Sequence, residues 1–233
     1  MTGGVPVREA ATVALIRDAS VGGGVEVFLQ HRVSSMQFAP GMSVFPGGGI
    51  EPRDYRGARL WRGPRPQWWA EQFGIAPDRA AAAVRGVTRE LFEETGVLLA
   101  EPDGDDATTP DPSERGPLDR GEGDLESLLT DHGLVLSAHL LRPWDRWTTP
   151  PGPPRRYDTL FFVAALPAGQ APDAMTTEAR AAEWLRADDA AHAGTLGRLG
   201  MLRPTLHVLT DLAKAADVRE VLSSPREIRP GGN

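Results

Sequence analysis

The stretch 77–96 limits the fold more than any other part of this chain. Pro77-Asp78 is a helix-start signal, Ala80 to Ala83 have high helix propensity, and Gly96 stands where a left-handed cap ends a helix. Positions i, i+3 and i+4 share one helical face, so Glu90, Glu93 and Glu94 bring their carboxylates together. Like charges so spaced repel by roughly 0.2–0.5 kcal/mol per pair even when exposed. An acidic face turned to solvent is the ordinary reading of such a helix. Here Arg89 precedes the cluster, Leu91 and Phe92 back it, and glycine stops the helix directly after it. Oxygen ligands of this kind suit a hard cation, Mg²⁺ or Mn²⁺.

Short apolar runs surround that helix. Residues 12–17 and 25–30 read as strands joined by a turn at Gly22-Gly23-Gly24, and the triplet lacks the sequel of a phosphate loop. Residues 43–45 form a brief strand that runs into Pro46-Gly47-Gly48-Gly49. From Tyr55 to about Asp78 the chain reads as irregular and rich in Trp, Arg and Pro. Residues 97–100 read as the next buried strand, and 101–123 as a polar, acidic surface loop. A helix at 125–132 leads to a strand at 134–139, a tryptophan-rich turn at 142–156 and a strand at 159–166. Another strand is expected at 183–186, and an apolar stripe at 196–216 marks a mostly helical C-terminal third. Strands separated by single helices indicate a mixed α/β domain without internal repeats.

Composition removes other classes. With 233 residues the chain can bury a proper core, and zero cysteines exclude disulfides, thiolate nucleophiles and cysteine metal sites. A net charge of −7 argues against general nucleic-acid binding, yet admits a small phosphorylated ligand if a cation inverts the local sign. No apolar run reaches the ~20 residues of a membrane span and no signal-peptide stretch opens the chain, so no membrane partner and a cytoplasmic location are expected. Lys214 is the one lysine among 25 basic residues, so clustered arginines are weak signals here. The five histidines show no paired spacing and none is assigned a role.

At Arg89-Glu90-Leu91-Phe92-Glu93-Glu94-Thr95-Gly96-Val97 the sequence resembles the Nudix hydrolases, whose signature is G-x5-E-x7-R-E-U-x-E-E-x-G-U. The second half is intact. The first half resembles Phe45-Pro46-Gly47-Gly48-Gly49-Ile50-Glu51-Pro52-Arg53-Asp54, with Gly48 opening it and Asp54 at the glutamate position. Thirty-four residues, not seven, separate Asp54 from Arg89, an insertion of about 27 within the signature. That split is similar to the subgroup containing peroxisomal acyl-coenzyme A diphosphatases. Arg32, Gly41 and Phe45 to Gly48 also match its upstream motif, with Gln37 at the second arginine position.

The resemblance implies a Nudix α/β/α sandwich with a mixed sheet, formed by one domain over 1–233. It carries an insertion at about 55–81, the acidic loop at about 101–123 and a helical C-terminal extension at about 187–233. It implies Mg²⁺ or Mn²⁺ held by Glu90, Glu93, Glu94 and the carbonyl of Gly47. Arg89 would fix the rotamer of Glu93, and Glu178 would supply a further metal ligand or base, an ordinary surface glutamate being the alternative. Arg32, Arg155 and Arg156 could grip phosphates, with a plain surface role as the competing reading. Trp147 and Trp144 could stack on a base, line an acyl channel or sit in the core. Trp61, Trp68 and Trp69 would pin the insertion onto the domain or onto a second subunit of a homodimer. The implied reaction is metal-dependent hydrolysis of a nucleoside diphosphate derivative, first coenzyme A or acyl-CoA, with ADP-ribose or NADH as alternatives. A nucleotide sensor without turnover is the non-enzymatic alternative.

Overall fold

The computed structural model describes residues 5–33, 39–57, 61–173 and 179–228. The chain opens with β1 (Val7–Asp18), β2 (Val25–Arg32), β3 (Ser43–Val44) and β4 (Gly47–Gly49), followed by β5 (Trp61–Arg62), α1 (Pro66–Phe73) and α2 (Pro77–Thr95). The middle comprises β6 (Ala100–Pro102), α3 (Arg115–Asp119), α4 (Leu125–Asp131), β7 (Leu134–Ser137), β8 (Leu141–Thr148) and β9 (Arg156–Ala165). It ends with β10 (Ala179–Arg186), α5 (Ala187–Thr195), α6 (Arg203–Leu212) and α7 (Val218–Ser223).

Period-two patterning builds a three-layer core. Along β1, Ala11, Val13 and Leu15 enter one apolar cluster while Ala14 and Ile16 enter another. The same alternation on β9 sends Leu160, Phe162 and Ala164 one way and Phe161 and Val163 the other. A central strand pair buried on both faces needs cover on both sides. Residues of α1 and α2 supply it on the first face, and residues of α5, α6 and α7 on the second. The main sheet runs β10-β2-β1-β9-β8, with β1 and β9 parallel and the other pairs antiparallel. A small sheet, β5-β7-β6, lies apart from it. Among the described residues no helix is long and apolar enough to cross a membrane.

One edge of β1 is shared between two partners. Ile16 to Asp18 pair with β2, whereas Ala10 to Thr12 pair with β4. Between them, Val13 N–H donates to Pro46 O at 2.9 Å and Thr12 Oγ1 donates to the same carbonyl at 2.8 Å. Gly47 lies so tightly against β1, at φ 148°, that an added Cβ would come within 2.4 Å of Ala11 O.

Several expectations from sequence need correction. The 55–78 stretch is not simply irregular: it contains β5 and α1, and Trp69 is fully buried. Its indole meets Phe162 at 5.7 Å, so the insertion is pinned by this chain's own core. The strand expected at 97–100 starts only at Ala100. Leu98 instead exchanges two hydrogen bonds with the Gln170 side chain, which takes the place of a neighbouring strand. The 101–123 loop carries α3, with Arg115 and Leu118 buried. The strand at 134–139 stops at Ser137, where a 3₁₀ turn, Ala138–Leu140, intervenes. The first half of the tryptophan-rich turn is strand, part of β8, whose ladder to β9 absorbs Pro143 at an irregularity. The 196–216 stripe is interrupted after Thr195, where Gly197 turns at φ 68°, and the helix resumes at Arg203.

Candidate active site

Arg89 is the electrostatic centre of the signature region. It is 1% exposed, and its Nε and Nη2 donate to the two oxygens of Asp54 at 2.9 and 3.0 Å. Its Nη1 donates to Glu90 Oε1 and Glu93 Oε2, each at 2.8 Å, and Nη2 also reaches Gly49 O at 3.1 Å. A buried guanidinium is tolerable only with such a complete set of acceptors. Burial alone would lower its pKa; the hydrogen bonds to Asp54 and the surrounding carboxylates reverse this and raise it. Asp54 is thus joined to Arg89 by fork-to-fork pairing, although 34 residues separate them in sequence.

The carboxylates divide between two tasks. Glu94 Oε2 accepts the Gly47 N–H at 2.9 Å, and the Glu90 carboxylate lies so close to Gly48 that a Cβ there would sit 2.6 Å from it. Glu93 is tied to Arg89 and, at 3.3 Å, to Arg53 Nη2. Burial pushes the Glu93 carboxyl up to about 7 against the pull of Arg89, and burial raises Glu90 as well. Among the described residues, no three acidic or histidine side chains are grouped closely enough to hold a metal ion by themselves. The three-carboxylate convergence expected from helical spacing is thus split: Glu90 and Glu94 border open space while Glu93 faces guanidinium groups.

That open space is a cleft of about 1010 Å³. Gly47, Glu90 and Glu94 line it, and so do Arg32, Arg155, Arg156 and Trp147. Seven of the residues singled out from sequence therefore share one cavity, while Arg89 and Glu93 stand behind its wall. Glu178, like Gln37, lies outside the described residues. Trp147 is held in place: its Nε1 donates to Asp145 Oδ2 at 2.8 Å and its ring meets His207 edge-on at 5.6 Å. Trp144 is a core residue, 6% exposed beneath the Arg226 guanidinium.

The donor set fits a hard divalent cation. Two carboxylates and a main-chain carbonyl at Gly47 match the one or two carboxylates plus water and substrate oxygens that Mg²⁺ prefers. The close approach of backbone at Gly47 and Gly48 leaves room for nothing bulkier than hydrogen.

Sequence reasoning missed several contributors. Arg53 buttresses Glu93 while donating to the carbonyls of Leu118 and Gly123 at 2.7 and 2.8 Å. Arg115 Nε donates to the Glu93 carbonyl at 3.1 Å and its Nη1 pairs with Asp173 at 2.9 Å. Arg203 and Thr205 at the start of α6 also line the cleft. These contacts join segments far apart in sequence, and an arginine-rich composition hides them.

No family model matches the chain. A crystal structure of a Nudix hydrolase from Alicyclobacillus acidocaldarius is 30% identical, superimposes with a TM-score of 0.79, and the match covers 97% of this chain and 99% of that one. The human acyl-coenzyme A diphosphatase NUDT19 is 30% identical over 186 residues, 61% of this chain and 48% of that protein. Its Xenopus laevis counterpart is 24% identical over 235 residues, 84% of this chain and 62% of that protein. The chain thus spans about half to three fifths of the length of these curated relatives. With a signature helix whose arginine is locked to Asp54, a shared α/β architecture and a full-length match at 30% identity, the chain belongs to the Nudix hydrolases.

Proposed function

We propose that the cleft hydrolyses the diphosphate linkage of a nucleoside diphosphate derivative, with coenzyme A or an acyl-CoA as the substrate. The observation that carries this reading is the cleft wall itself. Glu90 and Glu94 beside Gly47 share one cavity with Arg32, Arg155 and Arg156. A volume of about 1010 Å³ suits a long, flexible nucleotide conjugate, at the top of the usual range for small-molecule sites. Two relatives that bear the name acyl-coenzyme A diphosphatase support the choice of substrate.

In this reading Glu90, Glu94 and the Gly47 carbonyl would hold Mg²⁺ or Mn²⁺, and Glu93 would join them only by turning from Arg89 and Arg53 toward the cleft. When bound, the cation neutralises phosphate charge and lowers the pKa of water. Arg89 orients Glu90 and Glu93 from behind. Arg32, Arg155 and Arg156 grip non-bridging oxygens, and Trp147 offers an apolar wall to the base or the pantetheine arm. Glu178 is proposed as the additional base or ligand. Water adds to one phosphorus and the bridging P–O bond breaks, giving 4′-phosphopantetheine and adenosine 3′,5′-bisphosphate.

A panel of coenzyme A, acetyl-CoA, ADP-ribose, NADH and nucleoside triphosphates, incubated with Mg²⁺ or Mn²⁺ and read by mass spectrometry, tests the proposal. Cleavage of the CoA compounds ahead of the rest is expected. Preferred cleavage of ADP-ribose or NADH would replace the substrate, and tight binding without turnover would make the chain a sensor.

A further inference from the structure

Strand β8 changes face part-way along. At its start Leu141 and Pro143 lie opposite Ala164 and Phe162 of β9, and Leu141, Phe162 and Ala164 belong to the apolar cluster covered by α1 and α2. The ladder then slips between Pro143 and Asp145. Beyond the slip Asp145 lies opposite Phe161 and Trp147 opposite Thr159, and Phe161 belongs to the other cluster. A slip of one residue sends every later side chain to the opposite face. Trp144, the extra residue, is buried in the second cluster. Arg146 is turned to α1, where its Nη1 donates to Phe73 O at 3.0 Å. Trp147 lines the cleft together with Phe161 and Thr159. On an unbroken ladder Trp147 would face α1, and the cleft would lose this wall.

Asp145 then fixes the ring. The Arg146 main-chain N–H donates to its Oδ1 at 2.8 Å, and the Trp147 indole Nε1 donates to its Oδ2 at 2.8 Å. His207 on α6 brings its Nε2 to 3.4 Å from the same Oδ2, and its ring meets the indole edge-on at 5.6 Å. An indole whose one polar atom is engaged keeps little freedom and offers the cleft only carbon surface. Asp145 itself is not among the residues that line the cleft. Gly47 pairs with Thr12, Thr12 with Phe161 and Phe161 with Asp145, so this wall stands three strand spacings, about 14 Å, from Gly47. It meets a part of the substrate remote from the reacting phosphorus.

We infer that Asp145 is a positioning residue for substrate binding: by holding the Trp147 indole it fixes a platform for a planar or apolar group of the substrate. This rests on the diphosphatase reading and deepens it. A coenzyme A compound carries two such groups, the base and the pantetheine arm, and ADP-ribose shares only the base.

Steady-state hydrolysis of coenzyme A by wild type, Asp145→Ala, Trp147→Phe and the double variant tests it. Phenylalanine keeps an aromatic ring but has nothing to donate to Asp145. Each single variant is expected to raise KM about tenfold, the effect of one hydrogen bond to a carboxylate, with kcat unchanged. The double variant should be no worse than either single one. A KM in the double variant equal to the product of the two effects, a loss confined to kcat, or wild-type values throughout would overturn the inference. The indole N–H resonance of Trp147, assigned by its loss in Trp147→Phe, should exchange with solvent faster in Asp145→Ala, while the other five indole signals stay in place. Displacement of all of them would make Asp145 a fold residue and overturn its positioning role. The same KM changes with ADP-ribose, as substrate or competitive inhibitor, put the base on the platform; changes confined to coenzyme A put the pantetheine arm there. If wild type cleaves neither compound, the diphosphatase reading fails and calorimetry with coenzyme A decides the platform alone. The same pattern across the four proteins upholds it; equal affinities or no binding overturn it.

Discussion

Glu90 can occupy its place only because residue 48 has no side chain. An ideal Cβ on Gly48 would sit 2.6 Å from Glu90 Oε1, and the carboxylate can retreat only by giving up its place against Arg89, which holds the same oxygen at 2.8 Å. Gly48→Ala should therefore displace Glu90 by a substantial fraction of an ångström and lower kcat by about 100-fold, while the thermal midpoint changes little. Stopped kinetics beside a melting curve separates these effects, and a variant of wild-type activity would show that Glu90 has no positional role. The signature residues were legible as a charged helical face. The division of labour among them was not, because helical spacing specifies a shared face but not which carboxylate meets Arg89, Arg53 or the Gly47 amide. Asp54 illustrates the limit: its pairing with Arg89 depends on how the intervening chain folds back, which no local spacing encodes.

At the scale of elements, α1 turns an insertion into core. Trp69 and Phe73 are fully buried and both meet Phe162 of β9, at 5.7 and 5.1 Å. Trp69→Ala is expected to cost about 3–5 kcal/mol in denaturant unfolding, whereas Trp68→Ala, at a position 37% exposed, should cost under about 1 kcal/mol. Similar costs for the two would mean that α1 is not docked as described. The long helix α2 was readable to within a residue from Pro77 and Gly96, since caps act locally. β8 was hidden by its own composition: Pro143 and two tryptophans read as a turn, but an edge position in the sheet tolerates proline. The break before α6 was hidden by an apolar stripe that continues through it, although Gly197 and Pro204 mark its limits.

For the molecule as a whole, one ion-pair network ties the helix layer to the sheet. Asp158 on β9 accepts from Arg79 at 2.8 Å, from Arg146 at 2.7 and 3.1 Å, and from Thr148 at 2.9 Å, joining α2 to β8 and β9. Burial alone would raise its pKa, but the hydrogen bonds from Arg146 and Arg79 prevail and lower it to about 2. The unfolded value lies near ~3.9, so this stabilisation is complete above pH ~4 and fades as pH falls toward the folded value. Asp158→Asn should be less stable at pH 7 by about 2 kcal/mol, with a shallower loss of stability on acidification. Parallel acid-unfolding curves for the two proteins would contradict this assignment. The three-layer arrangement itself was legible from alternating strands and helices, since each apolar face must find cover.

The C-terminal helices proved to be one of the layers, not an appendage, and they bring α6 to the cleft opposite the signature. We propose that this cleft, through Glu94 and its neighbours, cleaves a diphosphate with a bound cation. Mass-spectrometric turnover of coenzyme A with Mg²⁺, for wild type and a folded Glu94→Gln variant, tests it most directly. Wild type should release 4′-phosphopantetheine and adenosine 3′,5′-bisphosphate, and the variant should lose at least about 100-fold, since even the partners behind metal ligands are worth 10–100-fold. Undiminished turnover in Glu94→Gln would contradict the claim.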